Sequence, residues 1–134
     1  MHDVILNQSF KKALVILVLL GQALSLTGFS LAVQVCKVHD SDTLTTCQGQ
    51  RVRLAGIDAP ELKQRYGYSA RDTLKSMALG QDVSLTCDGK SYNRKVCQVF
   101  LGTRNVNEAM VQQGFAYDYA HYSHGAYLPA QQYA

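Results

Sequence analysis

Charged side chains are concentrated in a 23-residue stretch, His39–Glu61, with the sequence HDSDTLTTCQGQRVRLAGIDAPE. Six of its residues are fully charged at neutral pH: Asp40, Asp42, Arg51, Arg53, Asp58 and Glu61. Carboxylate oxygens are the ligands that Ca²⁺ prefers, and guanidinium groups bind phosphate oxygens in pairs. The stretch therefore fits either a site that holds a cation and a phosphate together or an ordinary solvated surface.

The carboxylates are the first candidates for such a site. Asp42 follows a turn and Asp58 ends a predicted strand, so a barrel fold can bring the two together. Two carboxylates with carbonyl and water oxygens make a hard-oxygen site, which suits Ca²⁺ rather than a soft metal. Asp40 can add negative charge. Glu61 is close enough in sequence to line the same pocket and hold a water molecule as a general base.

Arg53 and Arg94 are the candidate phosphate ligands. Cleavage of a phosphodiester builds charge on the non-bridging oxygens, and the planar guanidinium matches that geometry better than lysine does. Preorganised charge of this kind is often the largest catalytic contribution. Five other cations are assigned to solvated surface, where exposed pairs contribute about 0–1 kcal/mol. These are Arg51, Lys63, Arg65, Arg71 and Arg104.

Apolar and polar residues alternate in five segments, which predicts the strands that position these side chains. The segments are residues 33–40, 43–47, 51–57, 82–87 and 94–101. A first helix is predicted to begin at Ser69, where Ser69 and Asp72 form a capping box, and to stop at Gly80. A second helix is predicted from Val106 to Gln113 with Asn105 as its cap. This order fits an α+β domain built on a five-stranded β-barrel of OB type.

The first 32 residues differ from the rest of the chain. Two lysines precede an apolar run, residues 13–32, which is the organisation of a secretory signal peptide. Ser30 and Ala32 stand where a signal peptidase needs small side chains. We therefore expect cleavage after Ala32 and export of a domain of residues 33–134 to the periplasm or the medium. The alternative is an uncleaved membrane anchor, because 20 largely apolar residues can just span a bilayer.

Charge and cysteine content limit the class of protein. The net charge of +3 is too small to indicate nucleic-acid binding by itself, so an anion site must come from local placement of arginines. The four cysteines of an exported chain predict two disulfides. The pairs Cys36–Cys47 and Cys87–Cys97 each flank a turn-like segment, and each bridge is worth about 3 kcal/mol in the chain-entropy model. A zinc site is the alternative.

Two segments together resemble the thermonuclease family, also called staphylococcal-nuclease-like proteins. They are DSDTL with RVRLAGIDAPE, and NRKVCQVFLGTRNVNEAMVQQGFA, within residues 35–122. The resemblance implies an OB-type barrel and a Ca²⁺-dependent endonuclease that hydrolyses phosphodiester bonds in DNA and RNA. We expect the nucleic acid to be its only obligate partner and the protein to be a monomer.

The family pattern also implies roles for individual residues. The implied Ca²⁺ ligands are Asp42, Asp58 and the backbone carbonyl of Ala59; Glu61 matches the general base, and Arg53 and Arg94 match the phosphate-binding arginines. Tyr119 and Tyr122 fall near the base-stacking tyrosines of the family. For these tail tyrosines, packing on the barrel is the alternative to stacking on bases.

The sequence departs from the family pattern at several positions. Ser41 stands where the family usually has glycine, in D-G-D-T. SYNR, residues 91–94, replaces the common KYGR, although Asn93 tolerates the left-handed backbone that glycine allows. The family carries a third, C-terminal helix, and we expect that helix to be truncated at Ala134. A non-catalytic OB-type module that binds nucleic acid, and a truncated inactive fragment, are therefore the alternatives to an active nuclease.

Overall fold

The computed structural model of this protein describes residues 31–134. The predicted signal peptide, residues 1–32, and its alternative as a membrane anchor lie outside the described residues except for the last two positions. From Leu31 onward, no helix is long and apolar enough to cross a membrane.

Residues 31–134 form eight strands and four helices. In chain order they are β1 (Val33–Val38), β2 (Thr43–Thr46), β3 (Arg51–Leu54), β4 (Ile57–Asp58), α1 (Gly67–Ala78), β5 (Asp82–Ser91), β6 (Arg94–Leu101), β7 (Arg104–Asn105), α2 (Val106–Gln112), β8 (Tyr117–Asp118), α3 (Ala120–Ser123) and α4 (Leu128–Gln132). Strands pair antiparallel in the order β3-β2-β1-β5-β6-β7, and a parallel pairing of β3 with β6 closes five of them into a ring. The predicted α+β fold with a five-stranded OB-type barrel is confirmed.

The hydrophobic core fills the barrel and the space between the barrel and helices α1 and α2. The strands contribute buried side chains at alternate positions, for example Val52 and Leu54 of β3. Helix α1 buries Ala70, Leu74 and Ala78 at helical spacing. Full burial of a side chain such as Leu or Val stabilises the fold by about 1.5–3 kcal/mol.

Asn107 is a fully buried polar residue that fastens α2 to the barrel. Its side-chain oxygen accepts a hydrogen bond from the Val99 amide at 3.1 Å. Its amide nitrogen donates to the carbonyls of Ala55 at 2.9 Å and Cys97 at 3.1 Å. The side chain therefore links α2, β6 and the turn between β3 and β4, and each of these buried backbone groups has a partner.

The third predicted strand, residues 51–57, is wrong as a single element, because the structure divides it into β3 and β4. Gly56 takes φ +72 between them, a left-handed conformation that favours glycine. Strand β4 then leaves the barrel and pairs with β8, with Ile57 opposite Asp118. The turn and this distant pairing together set the position of Asp58.

The predicted start of the first helix is also wrong. The helix begins at Gly67, two residues before Ser69, and no side chain caps it. Ser69 instead lies in the first turn, where its carbonyl accepts a hydrogen bond from the Thr73 hydroxyl at 2.9 Å. The start of the second helix is confirmed, since the Asn105 side chain accepts from the Glu108 amide at 3.1 Å.

Both predicted cysteine pairs are disulfides in the structure. Cys36 is joined to Cys47 and Cys87 to Cys97, and the second pair lies at directly opposite positions of β5 and β6. No thiolate is left for a zinc ion in the described part of the chain.

The turn after β5 differs in one detail from expectation, because Tyr92 rather than Asn93 takes the left-handed backbone, with φ +55.

The C-terminal segment packs on the barrel through two short helices, α3 and α4, where the sequence predicted a truncated helix. Tyr127, only 4% exposed, joins the core beside Ala130 of α4. The Asp118 carboxylate accepts hydrogen bonds from the Ser123 hydroxyl and from the Tyr127 amide. These contacts hold the segment that follows β8, and with it the tyrosines near the barrel surface.

Candidate active site

One cleft of about 550 Å³ brings the predicted charged residues together. It is lined by Asp40, Asp42, Arg53, Asp58, Ala59, Glu61, Leu62, Lys63, Gln64 and Arg94. We call it the charged cleft. Its residues come from the β1–β2 turn, β3, β4, the segment before α1 and the start of β6. All six residues predicted to bind metal, bind phosphate or act as a base line it, and so does Lys63, which the sequence analysis had assigned to the surface.

Asp42 lies at the centre of the charged cleft, and its side chain is 18% exposed. One carboxylate oxygen lies 3.4 Å from Nη2 of Arg53, and the other lies 3.9 Å from Nη1 of Arg94. The Thr43 hydroxyl donates to the carboxylate at 2.8 Å. Burial raises the pKa of Asp42 above its ordinary value, although Arg53 and the Thr43 hydroxyl oppose the rise; nearby Asp40 adds to it. A bound cation would relieve this cost of keeping Asp42 ionised.

The two arginines are held by hydrogen bonds as well as by Asp42. Arg53 donates to the carbonyls of Leu54 and Ile57, the second at 3.0 Å, and so braces the turn between β3 and β4. Arg94 donates to the Thr43 hydroxyl at 2.8 Å and to the Ser91 hydroxyl at 3.0 Å. Both guanidinium groups are therefore oriented toward the same carboxylate before any ligand binds.

Ser41 connects the two acidic segments of the charged cleft. Its hydroxyl donates to the Pro60 carbonyl at 2.5 Å, and the residue is only 2% exposed. The bond ties the turn that carries Asp42 to the segment that carries Ala59 and Glu61. Sequence comparison with the family pattern identified Ser41 as a departure from glycine but did not predict this contact, because it spans 19 residues of sequence.

The backbone of Glu61 is held by a tight turn that leads into α1. The Glu61 amide donates to the Gln64 side chain at 2.8 Å, and the Gln64 amide donates back to the Glu61 carbonyl at 2.9 Å. Gly67 packs against this turn so closely that a Cβ there would lie 2.1 Å from the Glu61 carbonyl oxygen. The Glu61 side chain is exposed to solvent, as a base that must hold water requires.

Tyr119 and Tyr122 do not line the charged cleft but a neighbouring one of about 460 Å³, which we call the tyrosine cleft. The two clefts share Arg53. The rings of Tyr119 and Tyr122 meet edge to face with their centroids 4.9 Å apart, and both remain substantially exposed. Their proposed stacking on bases stays a prediction.

The donor atoms of the charged cleft fit a hard cation. Within residues 31–134, no three His, Cys, Asp or Glu side chains are close enough to hold a metal by themselves. A site on Asp42 and Asp58 therefore needs the Ala59 carbonyl and water molecules to complete it. Carboxylate, carbonyl and water oxygens are the ligands that Ca²⁺ takes.

An OB-type barrel whose open cleft combines carboxylates with two oriented arginines defines the class of nuclease-like OB-fold proteins. Comparison with protein-family models agrees, since the model described as "Staphylococcal nuclease homologue" matches residues 51–134. The protein belongs to this family.

Several curated proteins are similar to this chain. A Haemophilus influenzae protein named "Uncharacterized endonuclease" is 40% identical over 105 residues, which cover 74% of this chain and 59% of that protein. A protein of the same name from Escherichia coli O157:H7 is 38% identical over 104 residues, covering 74% and 68%. A Shigella flexneri protein named "Micrococcal nuclease" is 35% identical over 102 residues, covering 66% and 59%. The chain thus spans 59% to 68% of the length of these relatives.

Proposed function

We propose that this protein is an exported, Ca²⁺-dependent endonuclease that hydrolyses phosphodiester bonds of DNA or RNA. The observation that carries the proposal is the convergence of Arg53 and Arg94 on Asp42, in the cleft that also contains Asp58 and Glu61. Carboxylates without a cation would repel a phosphate. A site that only bound phosphate through arginines would gain nothing from the carboxylates. Relatives named as nucleases support the same conclusion.

Arg53 and Arg94 bind the scissile phosphate. Their hydrogen bonds to the Ile57 carbonyl and to the Thr43 and Ser91 hydroxyls keep them oriented when phosphate oxygens replace Asp42 as their charged partner. Because little reorganisation is needed, the guanidinium groups stabilise the charge that develops on the non-bridging oxygens during attack.

Asp42, Asp58 and the Ala59 carbonyl would hold Ca²⁺. When bound, the ion supplies positive charge that polarises the phosphoryl group. Asp42 contributes through its partial burial, since a carboxylate whose ionisation is costly in the free protein gains most from a nearby cation. Ser41 holds the Asp42 turn against the Pro60 carbonyl and so keeps the two groups of ligands together.

Glu61 is the general base in this proposal. Its carboxylate accepts a proton from a water molecule as that water attacks phosphorus. One P–O ester bond breaks, and the departing sugar oxygen takes a proton from solvent and leaves as a hydroxyl. The turn from Glu61 to Gly67 fixes the backbone that carries this side chain at the edge of the charged cleft. A general base must lie within hydrogen-bond reach of the water that it deprotonates, so the place of this backbone decides whether Glu61 can act.

Export of a domain of residues 33–134 after cleavage following Ala32 is part of the same proposal. The apolar run in residues 13–32 supports it, and so do the two disulfides, which form and persist in oxidising compartments. The intact mass of the protein recovered from the periplasm or the medium tests the cleavage position directly.

The deciding experiment incubates the protein recovered from that fraction with denatured DNA in Ca²⁺ and in EDTA. Glu61→Gln is compared with Glu108→Gln, which changes an exposed glutamate on α2 that lines neither the charged cleft nor the tyrosine cleft. We expect cleavage only in Ca²⁺, loss of cleavage in Glu61→Gln and normal cleavage in Glu108→Gln. DNA binding without cleavage by the unmodified protein would instead indicate a non-catalytic OB-type binding module.

A further inference from the structure

A third cleft, of about 310 Å³, borders the charged cleft. It is lined by Asp58, Ala59, Pro60, Gln64, Arg65, Tyr66, Gly114, Phe115 and Tyr117. It shares Asp58, Ala59 and Gln64 with the charged cleft, whereas the tyrosine cleft meets the charged cleft only at Arg53. The charged cleft therefore has a neighbour at each of two separate borders.

Tyr117 projects beside the proposed cation ligand Asp58. The two residues lie directly opposite each other in the β4–β8 ladder, so their side chains share one face of that small sheet. Tyr117 is 69% exposed although aromatic rings usually gain from burial. Tyr119, two residues further on, lines the tyrosine cleft, so one short segment supplies a ring to each neighbouring cleft.

Tyr66 forms another wall of the third cleft, and its ring is also exposed, at 60% for the residue. Its backbone takes φ +64, a left-handed conformation that is unfavourable for residues other than glycine. Strained backbone persists where the surrounding structure enforces it, and such strain is concentrated at functional sites. The guanidinium carbon of Arg65 lies 4.9 Å from the centre of the Tyr66 ring, which adds a cation beside the aromatic surface.

We propose that Tyr66, Tyr117 and Arg65 form a second nucleotide subsite, on the Asp58 side of the scissile phosphate. The inference rests on the proposed function and deepens it. The two rings stack on a base, and Arg65 binds the phosphate that follows it. Exposed aromatic rings with an adjacent cation are the combination that binds single strands without sequence preference.

The proposal defines the substrate as a strand that continues on both sides of the cut. Stacking on a protein ring requires an unstacked base, so single-stranded or locally unpaired nucleic acid is favoured over duplex. A strand held at both borders of the charged cleft is cut internally, and a mononucleotide ester that occupies one border is cut poorly.

The test uses end-labelled single-stranded oligonucleotides that each contain one abasic position. Cleavage at every linkage is mapped for the unmodified protein and for Tyr66→Gly/Tyr117→Ala. Glycine suits the left-handed backbone at 66, so this change removes the ring without adding strain. Tyr133→Ala is the matched control, because Tyr133 is 85% exposed and lines none of the clefts.

In the unmodified protein and in Tyr133→Ala, we expect the abasic position to suppress cleavage at linkages on both of its sides. In Tyr66→Gly/Tyr117→Ala, suppression should vanish on one side only, and kcat/KM on the intact strand should fall about tenfold, as loss of base stacking predicts. Two-sided suppression with unchanged kcat/KM in the double variant would overturn the subsite. Tyr117→Ala alone, with its melting temperature checked, guards against misfolding.

Binding of the same oligonucleotide, measured by fluorescence anisotropy in Ca²⁺ with Glu61→Gln added to each protein so that the strand stays intact, separates failure of this inference from failure of the proposed function. If the unmodified protein binds without cutting, the nuclease proposal fails, and a Kd weakened about tenfold in the double variant still supports the subsite. An unchanged Kd in the double variant contradicts the subsite whether or not the protein cuts.

Discussion

Replacing Gly67 by alanine should disable the proposed base without touching its side chain. A Cβ at position 67 would lie 2.1 Å from the Glu61 carbonyl oxygen and 2.6 Å from that of Leu62. Non-bonded atoms are comfortable at about 3.5 Å, so the turn or the start of α1 must move by more than about 1 Å. Both oxygens belong to the backbone and therefore cannot rotate away.

The expected cost follows from that displacement. Insertion of a methyl group into a tightly packed position destabilises by about 1–3 kcal/mol. Since 1 kcal/mol shifts the melting temperature of a domain of this size by about 4–8 °C, Gly67→Ala should melt about 5–20 °C lower. A 1 Å misplacement of a catalytic group can lower the rate about 100-fold, which is the loss of kcat we expect.

Gly49→Ala is the matched control. Gly49 has φ +86 with nothing within 4 Å of an added Cβ, so alanine strains only the local backbone of the β2–β3 turn. We expect Gly49→Ala to lower the melting temperature but to leave kcat unchanged, measured well below both transitions on denatured DNA. Retention of kcat in Gly67→Ala would show that the packing of Gly67 does not position Glu61.

Three further predictions concern single side chains. Ser41→Gly removes the hydrogen bond to Pro60, so half-maximal activity should need about 5- to 10-fold more Ca²⁺; an unchanged Ca²⁺ titration would contradict this. Burial raises the pKa of Asp42 above its unfolded value, so ionisation of this group destabilises the folded protein as pH rises from the unfolded pKa toward the folded pKa, and the cost is absent below the unfolded pKa. Calorimetry in EDTA should therefore give Asp42→Asn a higher melting temperature than the unmodified protein at about pH 7 and the same melting temperature at about pH 3. A lower melting temperature for Asp42→Asn at pH 7 would show that ionised Asp42 does not destabilise the metal-free fold. Asn107→Ala leaves the Val99 amide and the Ala55 carbonyl without this partner, whereas the Cys97 carbonyl keeps its bond from the Ala55 amide, so urea unfolding should show a cost of about 2 kcal/mol or more; a loss under about 1 kcal/mol would show that the two groups find other partners.

Helices and strands that are specified by residues close together in the sequence were predictable. Alternation of apolar and polar residues located the barrel strands, and the Asn105 cap located the start of α2. The capping box at Ser69 was an equally local pattern, yet the helix begins at Gly67, because packing of Gly67 against the Glu61 turn outweighs one capping hydrogen bond. A cap is worth only about 1 kcal/mol, so tertiary contacts readily override it.

Spacing along the chain was enough to predict the succession of the five barrel strands, the cysteine pairs and the residue types available for chemistry. The tertiary structure alone decided that Arg94 reaches Asp42, because closure of the barrel by β3 and β6 joins residues about fifty positions apart. It also decided that Tyr117 lies beside Asp58, through the pairing of β4 with β8. Such contacts depend on the register between distant strands, and that register is set by packing of the whole core rather than by any local pattern.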